Sequence, residues 1–472
     1  MIDLVAGKGV RTLPRHALRA AAALLILCVA AAPAGASPDL LALFQPGEVV
    51  DVLAGGLTLP GGLRAAPALD APLSLLEFPT SVSVSYTRSR PFRQNGSDRW
   101  RVGGSAAEAL LTVRDRGKAG DIAVGAVYES SSLGLNESGR ASAEGSLSPK
   151  TRTAGLAVAR GGLAAGVSVG RESHEGLITS SRFEGIESAP GLGEGFLAWM
   201  QSHPCLAVEV RSSFGRHQAG VLHRQSNGQA TIRTVSDGQA YHVRQNFSSR
   251  VWAPHWVWRD GGFTAIGLLS WSSGCATGPV AVGNLVAGSL TGEARGSSQA
   301  IALRSDGPGA SQMWSFEHAR QHGDLHGSAG GFLFPGILSK SYGTHDYFGY
   351  ERYSLRCGQE RRNGSVSLRA GVLLSYGRVD LRLRATQSRF LRPPIVLADE
   401  RLDNGALWVL APSVGAGLKT GDWTFDAGAS VFFALLKDGI EEAEEPGGGG
   451  EPGGHNSVRP SYRWGVSVRK LL

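Results

Sequence analysis

Three arginines and an aspartate share one side of residues 365–389, SVSLRAGVLLSYGRVDLRLRATQSR. With a two-residue turn at Gly377-Arg378, Arg369, Asp380, Arg382 and Arg384 project from a single face. Guanidinium forks held that way stabilise an anion or brace carboxylates. A second group is acidic. Glu172, Glu175, Glu184, Glu187 and Glu194 lie in residues 172–204, which read as a long connection containing an apolar patch at 196–200. A third is His318, His322 and His326, at four-residue spacing in HARQHGDLH. On a helix these would share a face and bind a metal, but the surroundings predict a polar turn or loop, where that spacing has no such meaning. Residues 437–456 hold Glu441, Glu442, Glu444, Glu445 and Glu451 in a Gly/Pro tract. They offer carboxylate oxygens to Ca²⁺ but lack the D-x-D-G spacing of a binding loop, so a solvated loop is expected. No G-x-S-x-G, H-E-x-x-H or P-loop occurs. The expectation is a protein without catalysis, cofactor or metal.

These side chains have to be positioned by strands. In residues 365–389 the assumed turn pairs Leu374 with Leu381, Val372 with Leu383 and Ala370 with Ala385, leaving the charges opposite. Residues 413–433 form a second hairpin around 419–422. Val414, Ala416, Leu418, Trp423, Phe425, Ala427, Ala429, Val431 and Phe433 share one face. Residues 154–171 form a third, turning at Gly161-Gly162, with Leu156, Val158, Ala165, Val167 and Val169 together. One register aligns each apolar face, and a one-residue slip would destroy it. Glycine collects on the polar faces, at Gly155, Gly166, Gly371, Gly415, Gly417 and Gly428. There it makes room for water or for a neighbour's long side chain.

Composition narrows the class. Glycine accounts for 66 of 472 residues, about twice the usual share. Only 18% of residues are charged, and seven of the 47 cations are lysine. One apolar run exists, at the N-terminus, so a helical membrane protein is excluded. Lys8, Arg11, Arg15 and Arg19 precede apolar residues 20–32 and the small-x-small site Ala34-Gly35-Ala36, the layout of a cleaved secretory signal. Loss of residues 1–36 removes four cations and Asp3, so the charge falls from +7 to +4. Nucleic acid binding is not implied. Cys205, Cys275 and Cys357 remain; their number is odd and their spacing suits no metal.

Strand length and turn placement decide between a soluble sandwich and a membrane barrel. The alternating runs span about 9–14 residues, enough to cross a bilayer at a tilt. Tight turns at 161–162, 259–262, 377–378 and 419–422 contrast with long polar segments at 131–152, 172–204, 392–404 and 436–457. Trp252, Trp256, Trp258, Phe263 and Trp271 surround one tight turn, and Tyr376 and Trp423 sit beside others, as an interfacial aromatic girdle requires. The pattern resembles bacterial outer-membrane β-barrels of the porin-like type over residues 81–472. The last strand alternates Tyr462, Trp464, Val466 and Val468 but ends on Leu471-Leu472, where such barrels usually end on an aromatic residue.

The resemblance implies an all-β transmembrane antiparallel barrel of about 18 strands (range about 16–20) with short periplasmic turns and long external loops. Residues 1–36 are then a signal peptide, 37–80 a periplasmic or plug-like segment, and 81–472 the barrel. Arg369, Asp380, Arg382 and Arg384 would line the lumen and bias it toward anions. The glutamates of 172–204 would fold inward as a constriction loop. The implied function is passive diffusion of small hydrophilic, possibly anionic, solutes through the outer membrane, with outer-membrane lipids as surroundings. Two alternatives stand beside it: a plugged barrel acting as anchor, assembly factor or sheath for an envelope partner, and a secreted soluble β-rich protein.

Overall fold

The computed structural model describes residues 72–94, 99–117, 120–138, 143–180, 195–236, 239–282, 285–334, 337–389, 392–437, 458–459 and 461–472. The signal peptide, residues 37–71 and the acidic 438–457 tract lie outside these.

A single antiparallel sheet closes on itself as a barrel of 16 strands. The staves run β1 (Ser81–Gln94), β2 (Arg99–Gly117), β3 (Gly120–Ser138), β4 (Ala143–Arg160), β5 (Leu163–Ser180), β6 (Gly195–Phe214), β7 (His217–Ser236) and β8 (Gln239–Asp260). They continue with β9 (Phe263–Val282), β10 (Leu285–Asp306), β11 (Ala310–Phe334), β12 (Ile337–Asn363), β13 (Val366–Arg389), β14 (Arg392–Thr420) and β15 (Trp423–Lys437). Val458–Arg459 (β16) and Ser461–Leu471 (β17) together form the last stave. Each stave pairs with its sequence neighbour, and β1 pairs with β17 from Ser81↔Leu471 through Tyr86↔Val466 and beyond. Closure leaves no strand edge unpaired, which a sheet needs when no water can reach its backbone.

Alternation then fixes two surfaces. Val82, Val84 and Tyr86 on β1, Ile122 and Val124 on β3, and Val414 and Leu418 on β14 all face outward and are exposed. Their neighbours Ser81, Thr87, Ala123 and Ser413 face inward and are buried. A soluble sandwich would need the reverse, with a second sheet covering the apolar face. Among the described residues no helix is long and apolar enough to cross a membrane; the apolar surface is a belt of strands.

The observed count lies at the lower end of the expected range, because the strands are longer than anticipated. Strands β12 and β14 have 27 and 29 residues, well beyond a bilayer crossing. Residues read as loops at 131–152 and 392–404 are largely strand, as polar extensions keep pairing beyond the apolar belt. The turns at 161–162, 259–262 and 419–422 stand where expected. Gly161 and Gly162 adopt φ of 58° and 86°, a conformation that suits a two-residue hairpin and that glycine reaches without strain.

The turn at Gly377-Arg378 does not exist. Residues 366–389 are one strand, in which Gly377 pairs with Arg352 and Leu407. The chain reverses instead at Gly364-Ser365, where Gly364 has φ of 59°. The Asn363-Gly364 dipeptide is the stronger hairpin signal.

One helical turn precedes the barrel, Pro72–Glu77. It packs against the inward faces of neighbouring staves. Leu73 and Leu75 are fully buried in a cluster with Leu110, Ala123, Val127 and Ala157.

Candidate functional site

The inner wall holds most of the paired charge. Arg369 points inward, and its guanidinium binds Glu360 Oε1 at 2.9 Å and Asp426 Oδ1 at 2.6 Å. Arg362 holds the other oxygen of Glu360 at 2.6 Å. Elsewhere on the wall Arg352 meets Glu317 at 3.1 Å, and Arg114 pairs with Asp121. Cations and carboxylates of the wall thus largely compensate one another.

Losing the turn at 377–378 reverses the far half of β13. Even-numbered residues of this strand face outward, as Val366, Leu368 and Leu374 do. Asp380, Arg382 and Arg384 therefore lie on the outer surface, where Arg382 pairs with Tyr347 and Arg384 with His345 across the ladder. Only Arg369 of the expected four lines the lumen. The basic lumen column is replaced by one braced arginine.

The expected constriction loop divides as well. Glu172 and Glu175 are in β5, and Glu184, Glu187 and Glu194 lie outside the described residues. Glu175 pairs with the exposed Met200 on the outer face. Glu172 faces inward and is buried. Its Oε2 lies 3.0 Å from His203 Nε2, while Arg224 on β7 grips Oε1. His174 stacks on His203 with centroids 6.0 Å apart and planes 10° apart. Gln201 lies 3.3 Å from His203 Nδ1, and Phe247 presents its edge to the same ring at 4.9 Å. Gly228 leaves the space that His203 and Phe247 occupy. The sequence shows this cluster only if His174 and His203 are placed on paired strands, which the loop reading of 172–204 prevented.

The third inward feature is the seat of the N-terminal turn. The Leu73 backbone N–H donates to Glu209 Oε2 at 3.0 Å. Glu209 is buried, and its other oxygen lies 3.2 Å from Arg211 and 3.4 Å from His255 Nε2. Gly166 and Gly125 face Pro72 and Leu75, and a Cβ at Gly166 would stand 3.0 Å from Pro72 Cβ. Burying Leu73 and Leu75 contributes about 1.5–3 kcal/mol each by area. Pairing the buried Leu73 N–H avoids a desolvation cost of about 1–3 kcal/mol.

On the outside, aromatic rings form two levels. Trp258 and Phe263, in contact at 5.8 Å, and the stacked pair Trp423 and Phe425 stand near the tight turns. Trp252 and Trp271 face each other across β8 and β9 farther up, with Trp256 between the levels. Tyr376 contacts Trp408 at 4.5 Å at a similar height. Along the strands the levels are six (Trp258 to Trp252) and eight (Phe263 to Trp271) residues apart, about 15–20 Å in height at the tilt of a barrel strand. His318, His322 and His326 lie in strand β11 rather than in a turn. They are spread along its outer face, where His318 meets Glu351 at 2.9 Å and His326 stacks on His345 at 4.1 Å. Cys205, Cys275 and Cys357 are free thiols.

No family model matches the chain, and no curated protein matches it. Solved structures that are similar include the Pseudomonas putida toluene transporter TodX, at 12% identity and TM-score 0.42, over 90% of this chain and 98% of that one. A Pseudomonas aeruginosa FadL homologue is similar at 10% identity and TM-score 0.43, over 90% and 98%. The ferric yersiniabactin uptake receptor FyuA from Yersinia pestis follows at 9% identity and TM-score 0.34, over 83% and 79%. The likeness extends to barrel architecture only.

Proposed function

We propose that the protein is an outer-membrane transport barrel, reached through a cleaved signal peptide, whose N-terminal turn is a hatch in the lumen. The observation that carries this reading is the seat of Pro72–Glu77: two leucines buried on the inner wall and a backbone N–H donated to the buried Glu209. The apolar belt between two aromatic levels supports a bilayer environment. The inward serines, threonines and compensated ion pairs support a path for small hydrophilic solutes. A preference for anions finds little support, because Arg369 is bound by two carboxylates and Arg382 and Arg384 lie outside.

Planar-bilayer recordings test the proposal. The full chain is expected to conduct rarely, and a chain lacking residues 37–77 to conduct in steady steps. Leu73→Asp, which puts a charge into the apolar seat, is expected to behave like the deletion. Equal, steady conductance in all three would instead mark an open pore. Silence in all three would favour a plugged barrel that serves as an anchor or assembly element for an envelope partner.

A further inference from the structure

We infer that Glu172, His174 and His203 form a binding site for a borderline divalent transition metal, Zn²⁺ or Cu²⁺, on the lumen wall. One ligand atom from each of the three lies within 4.8 Å of the others, a spread that small side-chain rotations close to a coordination sphere. Two imidazoles and one carboxylate are the donor set that zinc takes in open three-ligand sites, and imidazole suits copper equally. The site is built from the backbone upward. Glu172 and His203 are directly paired residues of β5 and β6, as are His174 and Gln201. Cross-strand pairing therefore fixes the separation of both imidazoles and the carboxylate before any metal arrives.

The surroundings are those that orient ligands. Arg224 holds Oε1 of Glu172 and leaves Oε2 directed at His203. Gln201 stands at His203 Nδ1. With its amide turned so that the oxygen accepts from Nδ1–H, it fixes the tautomer that frees Nε2 for a metal, as outer hydrogen bonds do for ligating histidines. Phe247 walls the site on one side. Glu172 and His203 are buried and His174 is half-buried; water or a solute carboxylate would complete the coordination. The guanidinium of Arg224 opposes a dication, so micromolar rather than nanomolar affinity is expected. His318, His322 and His326 lack this geometry because they are spread along one outer strand face.

Calorimetric titration of the detergent-solubilised full chain with Zn²⁺ tests the site, with Co²⁺ absorption as a second readout. One tight Zn²⁺ equivalent is expected at pH 7.5, together with visible Co²⁺ bands. Both should weaken about tenfold or more in His174→Gln and His203→Gln, and should persist in His318→Gln/His322→Gln. Heat-modifiable gel migration confirms that each variant is folded. If His203→Gln does not fold, His174→Gln at the half-buried position decides alone. Unchanged stoichiometry and Co²⁺ bands in a folded His174→Gln variant, or loss of the tight equivalent in the His318/His322 variant, would overturn the proposal. The outcome is independent of conductance, so it stands or falls apart from the hatch.

Discussion

Arg369 on β13 binds Asp426 on β15 at 2.6 Å, passing over the bare backbone of Gly417 on the strand between them. A Cβ at Gly417 would collide with the Asp426 carboxylate and with Ser367. The side chains of Arg369 and Asp426 are only 17% and 16% exposed, so the pair is barely screened. Removing the cation leaves Asp426 uncompensated and Glu360 with Arg362 alone. Arg369→Ala is expected to destabilise the barrel by about 2–4 kcal/mol, toward the lower end for a broken buried pair. Urea unfolding in lipid vesicles, followed by tryptophan fluorescence, measures it. Gly417→Val should lose a comparable amount with both charges still present.

The reversed half of β13 gives a selectivity prediction. In a chain lacking residues 37–77, Arg369→Ala should shift the reversal potential toward cation preference, because Asp426 loses its partner and Glu360 keeps only Arg362. Arg382→Ala and Arg384→Ala, on the outer face, should leave it unchanged. A shift of equal size in all three would restore the basic lumen column.

Gly166 offers a milder probe of the hatch than deletion. Any side chain there meets Pro72 and the Leu73 backbone at about 3 Å. Gly166→Val should unseat the turn and raise the open fraction in bilayer recordings, with unchanged heat-modifiable migration. A closed, wild-type-like trace would show that the seat tolerates displacement.

The belt predicts a cost that depends on depth. Val414 faces outward near mid-belt on β14 and is 62% exposed. Val414→Arg should destabilise the reconstituted barrel by about 2–4 kcal/mol. The same change beyond the upper aromatic level should cost far less.

Asp346 supplies a pH dependence. It sits on β12 beyond the apolar belt, at a height where the outer face carries His345 and Asp324, 4.0 Å apart. Burial pushes its carboxyl up to about 6, against the hydrogen bond it accepts from the Arg384 N–H. The folded value lies above the ordinary range, so the folded state favours the protonated form. Stability from this group is therefore greatest below about pH 4 and declines as pH rises toward 6. Asp346→Asn should raise the unfolding temperature at pH 7.5, and the gain should vanish near pH 4.

Much of this architecture was legible in residue alternation. The faces of 154–171 and 413–433, the tight turns between them and the room left by Gly417 all follow from side-chain type at period two. The misplaced turn at 377 shows the limit. Alternation on either side of Gly377 is equally regular whether the chain reverses or continues, but the two choices send Arg382 to opposite surfaces. Only Asn363-Gly364 broke the tie. The cluster at Glu172 was hidden for a related reason. Polar strand extensions above a membrane carry no apolar stripe, so periodicity ends before the strand does. The seat of Leu73 rests on Glu209, 136 residues away, a pairing no local pattern encodes.

Three residues, Phe78, Pro79 and Thr80, join the N-terminal turn to β1. They are themselves fastened: Thr112 donates to the Pro79 carbonyl at 2.6 Å, the Arg114 N–H donates to Thr80 Oγ1 at 2.9 Å, and Phe78 lies 5.8 Å from the Arg469 guanidinium. So short a leash keeps the unseated turn within about 10 Å of its socket. Its effective concentration there is in the millimolar range or above. Under the proposed hatch, reclosure is then a unimolecular event that neither dilution nor a competing peptide readily defeats.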